Sequence, residues 1–195
     1  METSLAQARL ILASGSPRRR SLLSYFGIPF AVIPSMVDET ATGHGASQVR
    51  TLALRKGRDV FAANPTVPVL AADTLVCMGD LVLGKPADAQ DAHRMLRTLS
   101  GAWHQVHTGV CLCMPGGAVL ERVETTRVQF RTLSDAEIHR YIRTGEPMDK
   151  AGAYAVQEMG GTFVERIEGS PSNVVGLPLA TLAEMLSQAA LLPDA

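Results

Sequence analysis

The chain has 195 residues, 46% of them hydrophobic, so it can bury a sizeable core, and its formal net charge is −1. That near-neutral balance, with only 5% aromatic residues, argues against a generic nucleic-acid-binding module. Three cysteines are too few for a disulfide framework, no apolar run reaches membrane-spanning length, and the N-terminus lacks a signal-peptide layout, so the expectation is a cytoplasmic protein with no membrane partner.

Helical and extended patterns alternate without repeats or a linker, which predicts a single α/β domain over residues 1–195. Residues 9–14 read as a strand whose apolar run, Leu10-Ile11-Leu12, ends in small residues. Ser16 then suits a helix N-cap and Pro17 the first helical position, where no backbone N–H is needed, predicting a helix over 17–26. That helix start offers free N–H groups and a positive dipole end, and Arg18, Arg19 and Arg20 add full charges. The dipole disfavours cations there, so a bound anion explains the arginines better than a merely solvated basic turn. Residues 1–60 hold eight Lys/Arg against four acids, a local excess that suits a small anionic ligand.

Phe30 to Ile33 reads as a second strand, and 46–63 as an amphipathic helix with Val49, Leu52, Ala53, Lys56 and Val60 near helical spacing. Val67 to Ala72 is a continuous apolar run, as in a buried strand; Leu75–Met78 and Leu81–Leu83 flank Gly79-Asp80 as a hairpin. Asp88 caps a helix over 88–99. Residues 103–113 and 118–130 are two long strands around Pro115-Gly116-Gly117. Ser134 and Glu137 form a capping box for a helix to about Arg143. Thr162 to Ile167 is another strand, Pro178 starts a last helix to about Ala190, and Leu191 onward is a frayed tail.

Several side chains could carry chemistry. Asp73 follows the apolar run, at what reads as a strand end; a carboxylate there is costly without partners, and such ends often carry sites in α/β folds. A turn or capping role is the alternative. Taken alone, Glu39 reads as a surface acid and Lys56 as a solvated helix lysine. Gly84 and Pro86 fix the backbone around Lys85, so that lysine can be aimed at a ligand. The segment from Glu146 to Gln157 mixes charges, small residues and one tyrosine, which suits a pocket wall, and the Gln157 amide could pair with a base edge. Cys111 and Cys113 share one strand face as core residues, and His104 and His107 point to opposite faces. Neither a P-loop nor a dinucleotide-binding glycine fingerprint is present.

Six short motifs occur in order: S-G-S-P-R-R at Ser14 to Arg19, A-D-T at Ala72 to Thr74, G-K-P at Gly84 to Pro86, L-S-G at Leu99 to Gly101, D-K-A-G-A-Y at Asp149 to Tyr154, and N-V-V-G-L-P at Asn173 to Pro178. As an ordered set the chain resembles the Maf family of nucleoside triphosphate pyrophosphatases. The resemblance implies a Maf/inosine-triphosphatase-like α/β fold, an elongated mixed sheet flanked by helices with a cleft between two lobes. It implies hydrolysis of a nucleoside triphosphate to monophosphate and pyrophosphate with a divalent metal, Mg²⁺ or Mn²⁺, and a role in cleansing nucleotide pools or in cell-division arrest.

By the same resemblance Asp73 is the catalytic proton acceptor and Glu39 a polar cleft residue, and the preference of a hard cation for carboxylate oxygens makes Glu39 with Asp73 the expected metal ligands. Ser16, Arg19, Lys56 and Lys85 contact phosphates, and Arg18, Thr74 and Gln157 separate substrate subgroups. The D-K-A-G-A-Y and glutamine version is similar to the dTTP/UTP subgroup. Rival readings are a nucleotide-binding regulator of septum formation and a 7-methyl-GTP pyrophosphatase. Where many members read G-I-Q-G, this chain reads Ala155-Val156-Gln157-Glu158, so a carboxylate stands beside the specificity glutamine. Arg20 falls outside the matched motif and is expected to face solvent. A homodimer is the expected assembly, symmetric dimers being common.

Overall fold

A computed structural model describes residues 2–40 and 43–192 of the chain. Its strands are β1 (Leu10–Leu12), β2 (Phe30–Val32), β3 (Val69–Met78), β4 (Leu81–Leu83), β5 (Trp103–Cys113), β6 (Val119–Phe130) and β7 (Val164–Glu168). They form one mixed sheet in the order β2-β1-β3-β5-β6-β7, with β4 also on β3. β1 runs parallel to β2 and β3; every later pairing is antiparallel. The helices are α1 (Pro17–Ser24), α2 (Ala46–Ala63), α3 (Ala89–Leu99), α4 (Asp135–Ile142), α5 (Pro171–Val175) and α6 (Leu179–Gln188).

Side-chain alternation along β1 and β3 sorts the core. Leu10, Leu12, Leu70 and Ala72 pack with Leu23 of α1 and Leu182, Met185 and Leu186 of α6. Ile11, Ala13, Val69 and Ala71 pack with Ala53 and Val60 of α2 on the other face, together with Cys111 and Cys113. Farther along the sheet, α3 and α4 cover Val76, Leu83, Val106, Val128 and Phe130. These apolar groups flank an open notch.

The notch comes from strand lengths. β1 leaves β3 after the Leu12–Leu70 pairing, and β4 joins the same edge only at Val76–Leu83. On the opposite edge β5 pairs with β3 without a break from Val69 to Cys77. The β3 segment around Asp73 and Thr74 therefore has one neighbour strand. The expected strand end at Ala72 is overturned: β3 is continuous through Asp73, because β5 supplies partners along its whole length.

Local signals at helix starts hold well. Ser16, Asp88 and Ser134 each accept from the backbone N–H three residues on, and the Ser134–Glu137 capping box is complete. Helix α1 stops at Ser24 rather than 26, where Gly27 takes a left-handed φ of 67°. β7 begins at Val164 because Met159–Phe163 closes into a 3-10 turn. Leu191 is not frayed: it is buried with α6, and its N–H donates to Leu186 O at 2.9 Å. The rest of the expected tail, 193–195, lies outside the described residues.

Candidate active site

Because consecutive strand residues point to opposite faces, the notch presents Asp73 toward α2 and Thr74 toward α1 and α5. Helix α2 lies close to the sheet at Gly109, the β5 partner of Asp73. A Cβ on Gly109 would sit 2.3 Å from the Val49 carbonyl oxygen, so only glycine admits the helix backbone there. This seat carries Lys56 to Asp73. Both are buried, and the Lys56 ammonium donates to Asp73 Oδ1 at 2.7 Å. It also reaches Glu39 Oε1 at 2.7 Å. Asp73 Oδ2 has no hydrogen-bond partner among the described residues. The Lys56 hydrogen bond, helped by the charges of Lys56, Lys85 and Arg19, holds the Glu39 carboxyl below its ordinary range.

On the other face Thr74 Oγ1 accepts from Arg19 Nη2 at 3.0 Å and shares a hydrogen bond with Thr108 Oγ1 at 2.9 Å. Arg19 also donates through Nε to Gly176 O at 2.9 Å and through Nη1 to Ser14 Oγ at 3.2 Å. Its guanidinium thus ties the loop before α1 to β3 and to the end of α5. Desolvation lowers its pKa, which the nearby Asp73 charge opposes. Arg18 reaches across the opening, with Nη1 3.6 Å from Asp149 Oδ2. Arg20 departs from expectation: it is half-buried and pairs with Glu2 at 3.3 Å.

The opposite wall has no long helix or strand. It is built from 3-10 turns at Glu146–Asp149, Ala151–Ala153 and Met159–Phe163. Gly152 has φ 70°, and its N–H donates to Gly84 O at 3.0 Å, which joins this wall to the Lys85 turn. The buried Lys150 ammonium donates to Glu146 O at 3.1 Å and to the Asp149 carboxylate. Tyr154 is buried, its hydroxyl 2.8 Å from His104 Nε2. Burial lowers the His104 pKa to about 4. Lys85 and Gln157 stand exposed at the rim.

All nine candidate residues, Ser16, Arg18, Arg19, Glu39, Lys56, Asp73, Thr74, Lys85 and Gln157, line one cleft of about 330 Å³. Glu158 is exposed and does not line it. Of the pocket wall expected over Glu146 to Gln157, residues 149–151 and 154–157 line the cleft, and Glu146, Pro147 and Met148 do not. Sequence reasoning gave no individual role to Ser14, Asp149 or Gly176. The glycine ending a short helix was the available signal for Gly176, and nothing local marked Asp149 as the partner of Arg18. Cys111 and Cys113 are core, their sulfurs 3.7 Å apart, and His104 and His107 do face opposite ways, toward Tyr154 and Thr125 respectively. Among the described residues, no three His, Cys, Asp or Glu side chains converge as a metal site, and no helix is long and apolar enough to cross a membrane.

The profile of the Maf-like protein family matches residues 9–189. A protein of Anaeromyxobacter dehalogenans named dTTP/UTP pyrophosphatase is 52% identical over 184 residues, covering 93% of this chain and 94% of its own. A Caldicellulosiruptor bescii protein of the same name is 48% identical over 187 residues, covering 92% of this chain and 94% of its own. The solved structure of the Staphylococcus aureus Ham1 protein superposes with a TM-score of 0.53 at 14% identity, over 92% of this chain and 98% of that one, and so shares the fold. With the family profile spanning nearly its whole length, the chain belongs to the Maf-like proteins.

Proposed function

We propose that the cleft hydrolyses nucleoside triphosphates to the monophosphate and pyrophosphate, with dTTP and UTP as substrates. The relatives near 50% identity that carry the name dTTP/UTP pyrophosphatase support this reading. The observation that carries it is the meeting of a buried Asp73 carboxylate with the cations of Arg18, Arg19, Lys56 and Lys85 in one cleft.

A triphosphate brings about four negative charges, so positioning and charge neutralisation are the main tasks. Ser16 and the Arg18 N–H at the start of α1 face the phosphates, with the Arg18 side chain released from its exposed partner Asp149. Lys85 has no hydrogen-bond or ion-pair partner among the described residues and is free to take a phosphate oxygen. Arg19, already held by Ser14, Thr74 and Gly176, shapes the loop and adds a fixed positive charge.

Glu39 and Asp73 already converge on one positive charge, that of Lys56, and two carboxylates with phosphate oxygens and water suit a hard divalent cation. They would hold Mg²⁺ or Mn²⁺, which supplies charge neutralisation at the phosphate oxygens. Asp73 orients the attacking water and takes its proton at Oδ2. The water oxygen bonds to the α-phosphorus, the bond to the bridging oxygen breaks, and pyrophosphate leaves with that electron pair. Gln157 meets the N3–H and O4 of uracil or thymine with its carbonyl and amide groups. Arg18 and Thr74 complete the selectivity, Thr74 by fixing Arg19.

The test is a panel of standard and modified triphosphates, 7-methyl-GTP included, assayed for pyrophosphate release with each metal. Release is expected to be fastest from dTTP and UTP. No release from any triphosphate would overturn the reading in favour of a nucleotide-binding regulator. The reading carries a cytoplasmic location, where nucleotide pools are kept, and a homodimer, checked by light scattering.

A further inference from the structure

The loop that presents Gln157 belongs to no α-helix or strand and ends in the 3-10 turn that begins at Met159. It runs from Ala155 to Gly160, and its two ends are fastened to one pair of side chains. The Tyr141 hydroxyl, on α4, accepts from the Ala155 N–H at 3.3 Å and donates to Glu146 Oε1 at 2.7 Å. The same Oε1 accepts from the Gly160 N–H at 3.0 Å, and Oε2 from the Met159 N–H at 3.1 Å. Three donors on one carboxylate make strong, charge-assisted bonds. Tyr141 is fully buried; desolvation and the Glu146 carboxylate push its pKa up, so it remains a donor at neutral pH.

The packing leaves no slack. A Cβ on Gly160 would lie 2.7 Å from the Tyr141 hydroxyl, and one on Gly161 2.3 Å from the Val156 carbonyl oxygen. Neither Tyr141 nor Glu146 lines the cleft, whereas Tyr154, Ala155, Val156 and Gln157 do.

We propose that Tyr141 and Glu146 are positioning residues for base recognition, a polar clamp that closes the 155–160 loop and aims the Gln157 amide into the cleft. The proposal rests on the reading of Gln157 as the contact to the base. Without the clamp each encounter with nucleotide must first order the loop, a cost that falls on binding and base choice. The Asp73–Lys56–Glu39 group sits on other elements and keeps its geometry, so the chemical step is spared.

The experiment is Tyr141→Phe, with kcat and KM for UTP, dTTP and CTP and hydrogen exchange at the amides of 155–161. KM for UTP is expected to rise about tenfold with kcat changed less than about threefold, and the preference for UTP over CTP to narrow. The loop amides are expected to exchange faster. Glu146→Ala should exceed Tyr141→Phe in effect, and Glu146→Gln, which keeps one acceptor oxygen, should restore much of the loss. In a Gln157→Ala background, Tyr141→Phe should add little to KM. Simple addition of the two effects, or a fall in kcat and thermal stability with KM unmoved, would overturn the clamp as a route to Gln157. If the wild-type enzyme releases no pyrophosphate from UTP or dTTP, the functional reading fails separately. The clamp is then judged by exchange: unchanged loop protection in Tyr141→Phe overturns it, and lost protection supports it.

Discussion

The two walls of the cleft are built by different means. One stands on β3, α1 and α2, where Asp73, Lys56 and Arg19 are held by regular elements and by buried bonds such as Lys56–Asp73 at 2.7 Å. The other is a run of 3-10 turns held by side-chain clamps, Tyr141–Glu146 and Tyr154–His104. Reacting groups need a fixed geometry to within fractions of an ångström, and helices and strands supply it. Selectivity tolerates, and often uses, a wall of loops on a rigid scaffold. On the proposed reading the chemical step falls to the first wall and the Gln157 contact to the base falls to the second, with Arg18 and Thr74 adding to selectivity from the first.

The largest effect is expected from Asp73→Asn, which strikes the first wall alone. The amide keeps the size and the Lys56 contact surface but cannot take a proton from water. Turnover should fall on the order of a hundred- to ten-thousand-fold. Nucleotide should still bind, shown by ligand-induced thermal stabilisation of the variant. Turnover close to wild type would remove Asp73 from the catalytic role.

The second wall has its own weak point in acid. His104 is 2% exposed between Tyr154 and Phe130, and its pKa falls from 6.5 to about 4 on folding. Between these values the unfolded chain holds a proton that the folded chain does not. Its contribution is therefore fully present above about pH 6.5 and is lost as pH falls toward 4, on the order of 3 kcal/mol in all. Denaturant unfolding at pH 7 and pH 4.5 should show a smaller pH difference in His104→Gln than in wild type. An equal difference in both would place the titration elsewhere.

A smaller loss is expected from Gly109→Ala. The added methyl would meet the Val49 carbonyl at 2.3 Å, so α2 must lift from the sheet and draw Lys56 from Asp73. Overpacking of this kind costs on the order of 2 kcal/mol. Thermal unfolding measures that loss, and kcat should fall with it while the UTP-to-CTP ratio, on the proposed reading carried mainly by Gln157, holds.

The same contrast governs what could be read from the sequence. Ser16, Asp88 and Ser134 announce their helices because a cap acts within three residues, and α2 shows its buried face through its period. Glu39 and Lys56 look ordinary one at a time and lie outside the six motifs, so only the family resemblance gathers them into a set. The notch was not legible, because it depends on where β1 and β4 leave the same edge of β3. Nor was the task of Arg19, which bonds Gly176 from 157 residues away. The 3-10 turns of the second wall have no hydrophobic period to betray them, and their clamps join residues by side chain rather than by pattern.

The smallest effect is expected at Glu158, where this chain carries a carboxylate beside Gln157, the proposed contact to the base. Side chains at neighbouring positions of a turn need not share a direction. Gln157 lines the cleft and Glu158 does not; the Glu158 charge is instead felt at Tyr141, behind the loop, where it helps raise the phenol pKa. A carboxylate there adds no repulsion toward a base or a phosphate inside the cleft, and an exposed charge at the rim is further weakened by salt. Glu158→Gln should therefore leave kcat/KM for UTP and dTTP within about twofold of wild type. A large gain for UTP on removing the charge would mean that Glu158 turns into the cleft when nucleotide binds, and that the second wall rearranges rather than receives its base preformed.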